Sequence, residues 1–300
     1  MILRILLVVI LMTGCNKKDP AENNNPLNGT FTRSIDVNGQ VREYLIHIPN
    51  AYDGTQSVPI MLNFHGWNMS ANDQMNVSDM RALSESEQFI LVYPQGSLFY
   101  GSTHWNVGSW TTGSSSNDIG FIGDLIIEIT NNYNIDENRI YACGYSNGGF
   151  FSQELACQFS DKIAAIGAVA ANMSERTKNT CNPTHPTPII TISGTNDTVV
   201  QYDGSEPEGT ISHSETINYW IDFNNTDTSA VMTNLPNSSA TDGSSVNLFQ
   251  YFNGDNNVEI EHYKVINGGH GWPGVLGNMD INANFIIWNF VSQFDLNGKI

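Results

Sequence analysis

Ser146 sits at the centre of Gly144-Tyr145-Ser146-Asn147-Gly148, a Gly-x-Ser-x-Gly pattern. A serine hydroxyl is a poor nucleophile until a neighbouring base takes its proton and an acid orients that base. The local context suits such chemistry. The motif follows the apolar run Ile140-Tyr141-Ala142-Cys143 and opens a helical pattern at Gly149. A serine on a tight strand-to-helix turn is forced into the open, and flanking glycines remove the steric clash. The helix N-terminus then points positive partial charge at a developing oxyanion.

Among seven histidines, His270 is the expected base. It lies in Asn267-Gly268-Gly269-His270-Gly271-Trp272-Pro273-Gly274, directly after an apolar strand-like run. The acid is expected between the serine and the histidine in chain order. Asp197 ends Ile189-Ile190-Thr191-Ile192-Ser193-Gly194-Thr195-Asn196-Asp197 and is the first choice; Asp203 is the alternative. Two backbone amides should receive the oxyanion, those of Asn147 and of Trp67 in His65-Gly66-Trp67. His65 is expected to shape that loop and His47 to be structural. His104 could line the site; His185, His213 and His262 carry no motif. Trp105, Trp110, Tyr145 and Trp272 surround these positions in sequence and are expected to stack on substrate.

These residues need a scaffold. Residues 41–48 alternate like a half-buried strand, and 58–64, 89–93, 139–144, 163–170 and 188–194 are short apolar runs. Helical patterns cover 78–88 with Ser78 as a possible N-cap, then 117–133, 147–159, 212–223 and 282–294. Strands are expected at 246–252 and 258–266. Strands alternating with helices predict an α/β fold with a mostly parallel central sheet and helices on both faces. Residues 96–117 form a long Gly/Ser/Trp-rich loop, of the kind that is usually functional or mobile.

The chain has 300 residues, 40% of them hydrophobic, so it can bury a large core. Thirty acidic side chains against twelve Lys and Arg give a net charge of −18. That excludes a nucleic-acid binder and electrostatic docking on anionic lipid. Residues 1–14 read as a signal segment, with Arg4 before an apolar stretch too short to span a bilayer. Met12-Thr13-Gly14-Cys15 resembles a bacterial lipoprotein signal, in which Cys15 would be lipidated. Residues 15–28 are polar and read as a flexible tether, and 29–300 as one catalytic domain. The expectation is an exported protein, held on a membrane only through Cys15 or secreted. Cys143, Cys157 and Cys181 allow one disulfide, and their spacing argues against a zinc site.

Taken together, these segments resemble the α/β-hydrolase esterases of the polyhydroxybutyrate depolymerase and feruloyl esterase group. The resemblance runs from about Gly29 to the C-terminus. It is carried by Leu62-Asn63-Phe64-His65-Gly66-Trp67, Tyr93-Pro94-Gln95-Gly96, Trp105-Asn106, Asn117-Asp118-Ile119-Gly120-Phe121, Gly144 to Gly149, Gly194 to Asp197 and Gly268 to Gly274. It implies an α/β-hydrolase fold and ester hydrolysis without a metal or other cofactor, by Ser146, Asp197 and His270. It also implies a Cys157–Cys181 disulfide, leaving Cys143 buried and free. A cysteine pair that many relatives carry near the Trp-Asn loop is absent, with Ser109-Trp110 and a serine run in its place. Feruloyl or acetyl esters of plant polysaccharide are the expected substrates, with hydroxyalkanoate oligomers as the alternative. An inactive hydrolase scaffold serving as a surface binding protein, and a peptidase on the same fold, are the readings from other classes.

Overall fold

The computed structural model describes residues 28–205 and 209–300. The signal segment, Cys15 and the tether up to residue 27 lie outside the described residues. Asn28 is already tied to the fold, its amide donating to the carbonyls of Pro49, Asn50 and Tyr52.

The strands in chain order are β1 (Gly29–Val37), β2 (Gln40–Ile48), β3 (Val58–Phe64), β4 (Ile90–Pro94), β5 (Ser97–Phe99), β6 (Ser102–His104), β7 (Ile135–Tyr145), β8 (Ala165–Val169), β9 (Ile189–Gly194), β10 (Val231–Asn234), β11 (Ser245–Tyr251) and β12 (Ile260–Ile266), followed by the short pair β13 (Phe294–Asp295) and β14 (Gly298–Lys299). The helices are α1 (Ala71–Val77), α2 (Arg81–Glu87), α3 (Asp118–Asn132), α4 (Asn147–Gln158), α5 (Glu175–Thr180), α6 (His213–Asn224) and α7 (Ala283–Val291).

Among the described residues, ten strands form one sheet in the order β1-β2-β4-β3-β7-β8-β9-β12-β11-β10. The six from β4 to β12 run parallel, and antiparallel hairpin strands extend both edges. A parallel centre must be covered on both faces. On one side, Ile60, Leu62, Phe64, Ile140 and Ala142 pack against apolar residues of α3, α4 and α6. On the other, Met61, Tyr141, Cys143 and Tyr145 pack against α1, α2 and α7. The alternation within β3 and β7 divides the core in two, as strand geometry requires.

One helix start differs from expectation. Ser78 does not cap a helix N-terminus; it is the C-cap of α1, and its amide donates to Gln74 O. The helix after it begins only at Arg81. The segment 96–117 is not structureless either. It holds the β5–β6 hairpin and a short 3₁₀ turn at Ser109–Thr111.

Candidate active site

β7 ends at Tyr145 and α4 begins at Asn147, so Ser146 alone makes the turn between them. Its backbone is at φ 54° and ψ −121°, a region costly for a residue with a side chain. Two glycines make the turn sterically possible. A Cβ on Gly144 would stand 2.3 Å from Gly148 O, and one on Gly148 would stand 2.2 Å from Phe64 O. The turn therefore seats the serine against the loop after β3, where a Cβ on Gly66 would meet Ser146 Cβ at 3.4 Å. Ser146 itself is half-buried.

The other two expected groups come from the carboxyl ends of β9 and β12, neighbours in the sheet. Those two loops are zipped together. Thr195 N–H donates to Val265 O, Asn196 N–H to Gly268 O, and Asn267 N–H to Thr195 Oγ1. The result brings His270 Nδ1 within 2.7 Å of Asp197 Oδ2. The other carboxylate oxygen, Oδ1, accepts from the amides of Val199 and Val200, both at 2.8 Å. Asp197 is thus buried with both oxygens hydrogen-bonded and its orientation fixed. Nδ1 donates to the carboxylate, which leaves the Nε2 lone pair of a neutral imidazole available. Neither Nε2 nor Ser146 Oγ has a hydrogen-bond partner among the described residues, so a direct serine–histidine bond is not formed here. Asp203, the alternative acid, is exposed and makes no contact with His270.

The expected amide donors belong to Asn147 and Trp67, which line one cavity with Ser146. Asn147 is the first residue of α4, and such an amide has no intrahelical acceptor. Trp67 follows Gly66, the residue at which a Cβ would stand 3.4 Å from Ser146 Cβ. Neither amide has a partner among the described residues. The loop that carries Trp67 is held by His65. Gly96 N–H donates to His65 Nε2 at 2.9 Å, so Nδ1 carries the proton and donates to Gly66 O at 2.8 Å. Burial pushes this imidazole down to about 4, so it stays neutral and structural. Asn147 adds a second brace: its side-chain oxygen accepts from Trp105 N–H at 2.7 Å, and its amide donates to Trp105 O at 3.2 Å.

A cavity of about 240 Å³ opens beside the serine, lined by Trp67, Trp110, Ser146, Asn147, Phe150, Val199, Val200 and Thr210. Of the four side chains expected to stack on substrate, Trp110 lines it. Trp105 and Trp272 do not, and this corrects the sequence reading. Both are fully buried. Trp105 stacks on Phe151 at 4.9 Å and donates through Nε1 to His65 O; Trp272 donates to Asn284 Oδ1. Tyr145 is also buried and turned to a different partner. Its hydroxyl donates to His270 O at 3.2 Å and its ring centroid lies 4.9 Å from the imidazole. His104 is buried, bonded to Ser97 O and Ser114 Oγ. Phe150, Val199, Val200 and Thr210 were not legible as lining residues. Phe150 reads as helix core, and the others belong to an irregular loop without periodicity. Cys157 and Cys181 form the disulfide that the resemblance implied, while Cys143 is buried and free.

No protein-family model matches the chain. Curated relatives do. The chain is 28% identical over 256 residues to a bifunctional acetylxylan esterase/xylanase of Neocallimastix patriciarum, covering 85% of this chain and 34% of that protein. It is 28% identical over 258 residues to feruloyl esterase B of Piromyces equi, covering 85% and 46%. The chain therefore spans less than half the length of these two relatives. Among solved structures it superposes on an acetyl xylan esterase from Aspergillus awamori with a TM-score of 0.60, at 16% identity over 87% of this chain and 99% of that one. A CE1 ferulic acid esterase from Anaeromyces mucronatus gives 0.53, at 17% identity over 93% and 95%. The chain has the α/β-hydrolase fold. Its site lies where that architecture puts one, outside the carboxyl ends of the parallel strands. Among the described residues, no helix is long and apolar enough to cross a membrane.

Proposed function

We propose that the chain is a serine carboxylesterase that works through an acyl-enzyme, with feruloyl or acetyl esters of plant-polysaccharide fragments as substrates. The observation that carries the reading is the 2.7 Å Asp197–His270 bond, made by loops that leave the same carboxyl edge of the sheet as the Ser146 turn. His270 Nε2 takes the Ser146 proton as the hydroxyl attacks the ester carbonyl. The Trp67 and Asn147 amides receive the oxyanion, helped by the N-terminus of α4. His270 then protonates the leaving alcohol and activates the water that frees the acid. Asp197 holds the tautomer and stabilises the imidazolium. The cavity walls of Trp67, Trp110, Phe150 and Val200 suit an uncharged acyl group, aryl groups included. The esterase names of the relatives support the class of reaction and of ester. In this reading the protein is exported and tethered by lipid at Cys15, and the Cys157–Cys181 disulfide fits an oxidising compartment.

The test is hydrolysis of methyl ferulate, acetylated xylan, p-nitrophenyl acetate and hydroxybutyrate oligomers, with Ser146→Ala alongside. Turnover of the first two should fall on the order of 10⁴-fold or more in the variant. Hydrolysis of hydroxybutyrate oligomers alone would replace the substrate. No turnover of any ester by the folded wild type would favour a binding scaffold, and activity wholly in the soluble cell fraction would remove the anchor.

A further inference from the structure

The hairpin of β5 and β6 displays side chains that folding does not use. Phe99 pairs with Ser102, so the turn consists of Tyr100 and Gly101. Both have positive φ, 48° and 86°, the mark of a type I′ turn. That turn favours Asn-Gly, because a bulky side chain at positive φ is strained. Tyr100 occupies the strained position and buries nothing: it is 94% exposed, and Leu98 beside it is 71% exposed. A large ring held against both local preference and water has no account in folding, and such conflicts concentrate at functional sites.

The ring is connected to the cavity. The Phe99 ring lies 4.5 Å from that of Tyr100 and 6.5 Å from that of Trp67, which lines the cavity beside Ser146. The hairpin is also fastened to the Trp67 loop. Asn68 N–H donates to Thr103 O at 2.8 Å, and Thr103 Oγ1 donates to Met69 O at 2.5 Å. Trp67, Phe99 and Tyr100 therefore form a stiff aromatic ledge running out of the cavity.

We propose that this ledge is a subsite for a neutral sugar ring on the alcohol side of the ester, with Tyr100 stacking on its C–H face. The proposal rests on the esterase reading and gives the sugar half of that substrate a place on the surface. The apolar cavity takes the acyl group, so the leaving alcohol extends toward solvent, where the ledge stands. The hairpin carries no Lys or Arg, so an anion has nothing to recruit it. A flat exposed ring, on a hairpin whose second strand opens with Ser102, matches a pyranose, which offers an apolar face and a polar edge.

The experiment compares wild type, Tyr100→Asn and Tyr100→Phe on methyl ferulate and on feruloylated or acetylated xylo-oligosaccharide. It adds calorimetric binding of unesterified xylo-oligosaccharide. Tyr100→Asn creates the favoured turn sequence, so Tm should rise by about 2 °C. Its kcat/KM on the oligosaccharide ester should fall at least about fivefold, through KM, while methyl ferulate stays within roughly twofold. Tyr100→Phe should keep both. Equal losses on the two substrates, or no loss on the sugar ester, would overturn the ledge. A wild type inactive on every ester would reject the esterase reading instead; the ledge would then stand or fall on whether Tyr100→Asn weakens binding of the free oligosaccharide.

Discussion

At Asp197 the two carboxylate oxygens have separate duties, and a one-atom change tests them. In Asp197→Asn, the remaining oxygen can keep the Val199 and Val200 amides, while the new NH₂ faces His270 Nδ1. The imidazole must then present its other tautomer and can no longer take a proton at Nε2. The expected outcome is a loss in kcat on the order of 10³–10⁴-fold with Tm nearly unchanged. Asp203→Asn, on an exposed turn, should stay within roughly twofold. Similar losses in both variants would detach the rate from this hydrogen bond. The same scale shows why the placement of some residues was legible and that of others was not. Ser146, Asp197 and His270 are tied to glycine-marked turns at strand ends, and the glycines are readable in sequence. An aromatic side chain carries no such marker. Trp105 and Trp110 lie five residues apart in one loop, yet one fills the core and the other lines the cavity. What separates them is the buried acceptor that Trp105 Nε1 finds at His65 O, a contact across 40 residues.

At the scale of elements, the site depends on a buried ion pair that joins three segments. Arg42 of β2 donates to Asp118 Oδ1 at 2.9 Å, with side chains only 8% and 1% exposed. Asp118, the first residue of α3, also accepts from Ser116 Oγ and from Asn106 N–H, which anchors the Trp105-Asn106 loop that braces Asn147. The Arg42 guanidinium lies 4.0 Å above the Phe121 ring. Removing one partner leaves a buried charge, so Arg42→Met should cost about 3–5 kcal/mol in urea unfolding. Arg42→Met with Asp118→Asn should recover part of that loss; an additive double variant would mean the pair is not coupled. Elements with a clear apolar period were readable. The run at 58–64 is β3, and the 117–133 pattern is α3 with Asn117 as its cap. Elements held by other means were not. In β1, Arg33 interrupts the alternation. α1 buries only Ala71 and Gln74 and is fixed by a Ser70–Asp73 capping box. β10 is an exposed edge strand with no apolar face. Ser78 reads as an N-cap yet is the C-cap of α1, because a serine between two short helices suits either end until tertiary contacts decide.

For the whole molecule, the buried histidines set a pH dependence of stability distinct from that of catalysis. Burial pushes His65 down to about 4 and His213 to about 3, and holds His262 well below its ordinary range. The last two are joined through Thr191, with ring centroids 3.8 Å apart, and His262 holds the Tyr202 hydroxyl. An unfolded chain protonates these imidazoles near pH 6.5. Between there and the folded values, the unfolded state binds more protons. The stability they contribute is complete above about pH 6.5 and drains away as pH falls toward 4 and below, at about 1.4 kcal/mol per pH unit for each group. Carboxylates such as Asp73 and Asp79, held below their usual range by hydrogen bonds from Ser70 and Arg81, lose their contribution only below about pH 4. Glu154 and Glu261 are raised by burial and act in the opposite sense, offsetting part of the effect. Relief of the net negative charge also opposes it, and about 0.5 M salt screens that contribution. In such salt, urea unfolding free energy should fall by about 1–3 kcal/mol between pH 6.5 and 5. A flat profile over that window would mean that these imidazoles are hydrated or already charged in the folded protein. The aromatic and hydrogen-bonded seat that His213, Thr191 and His262 give Tyr202 would then need a different account.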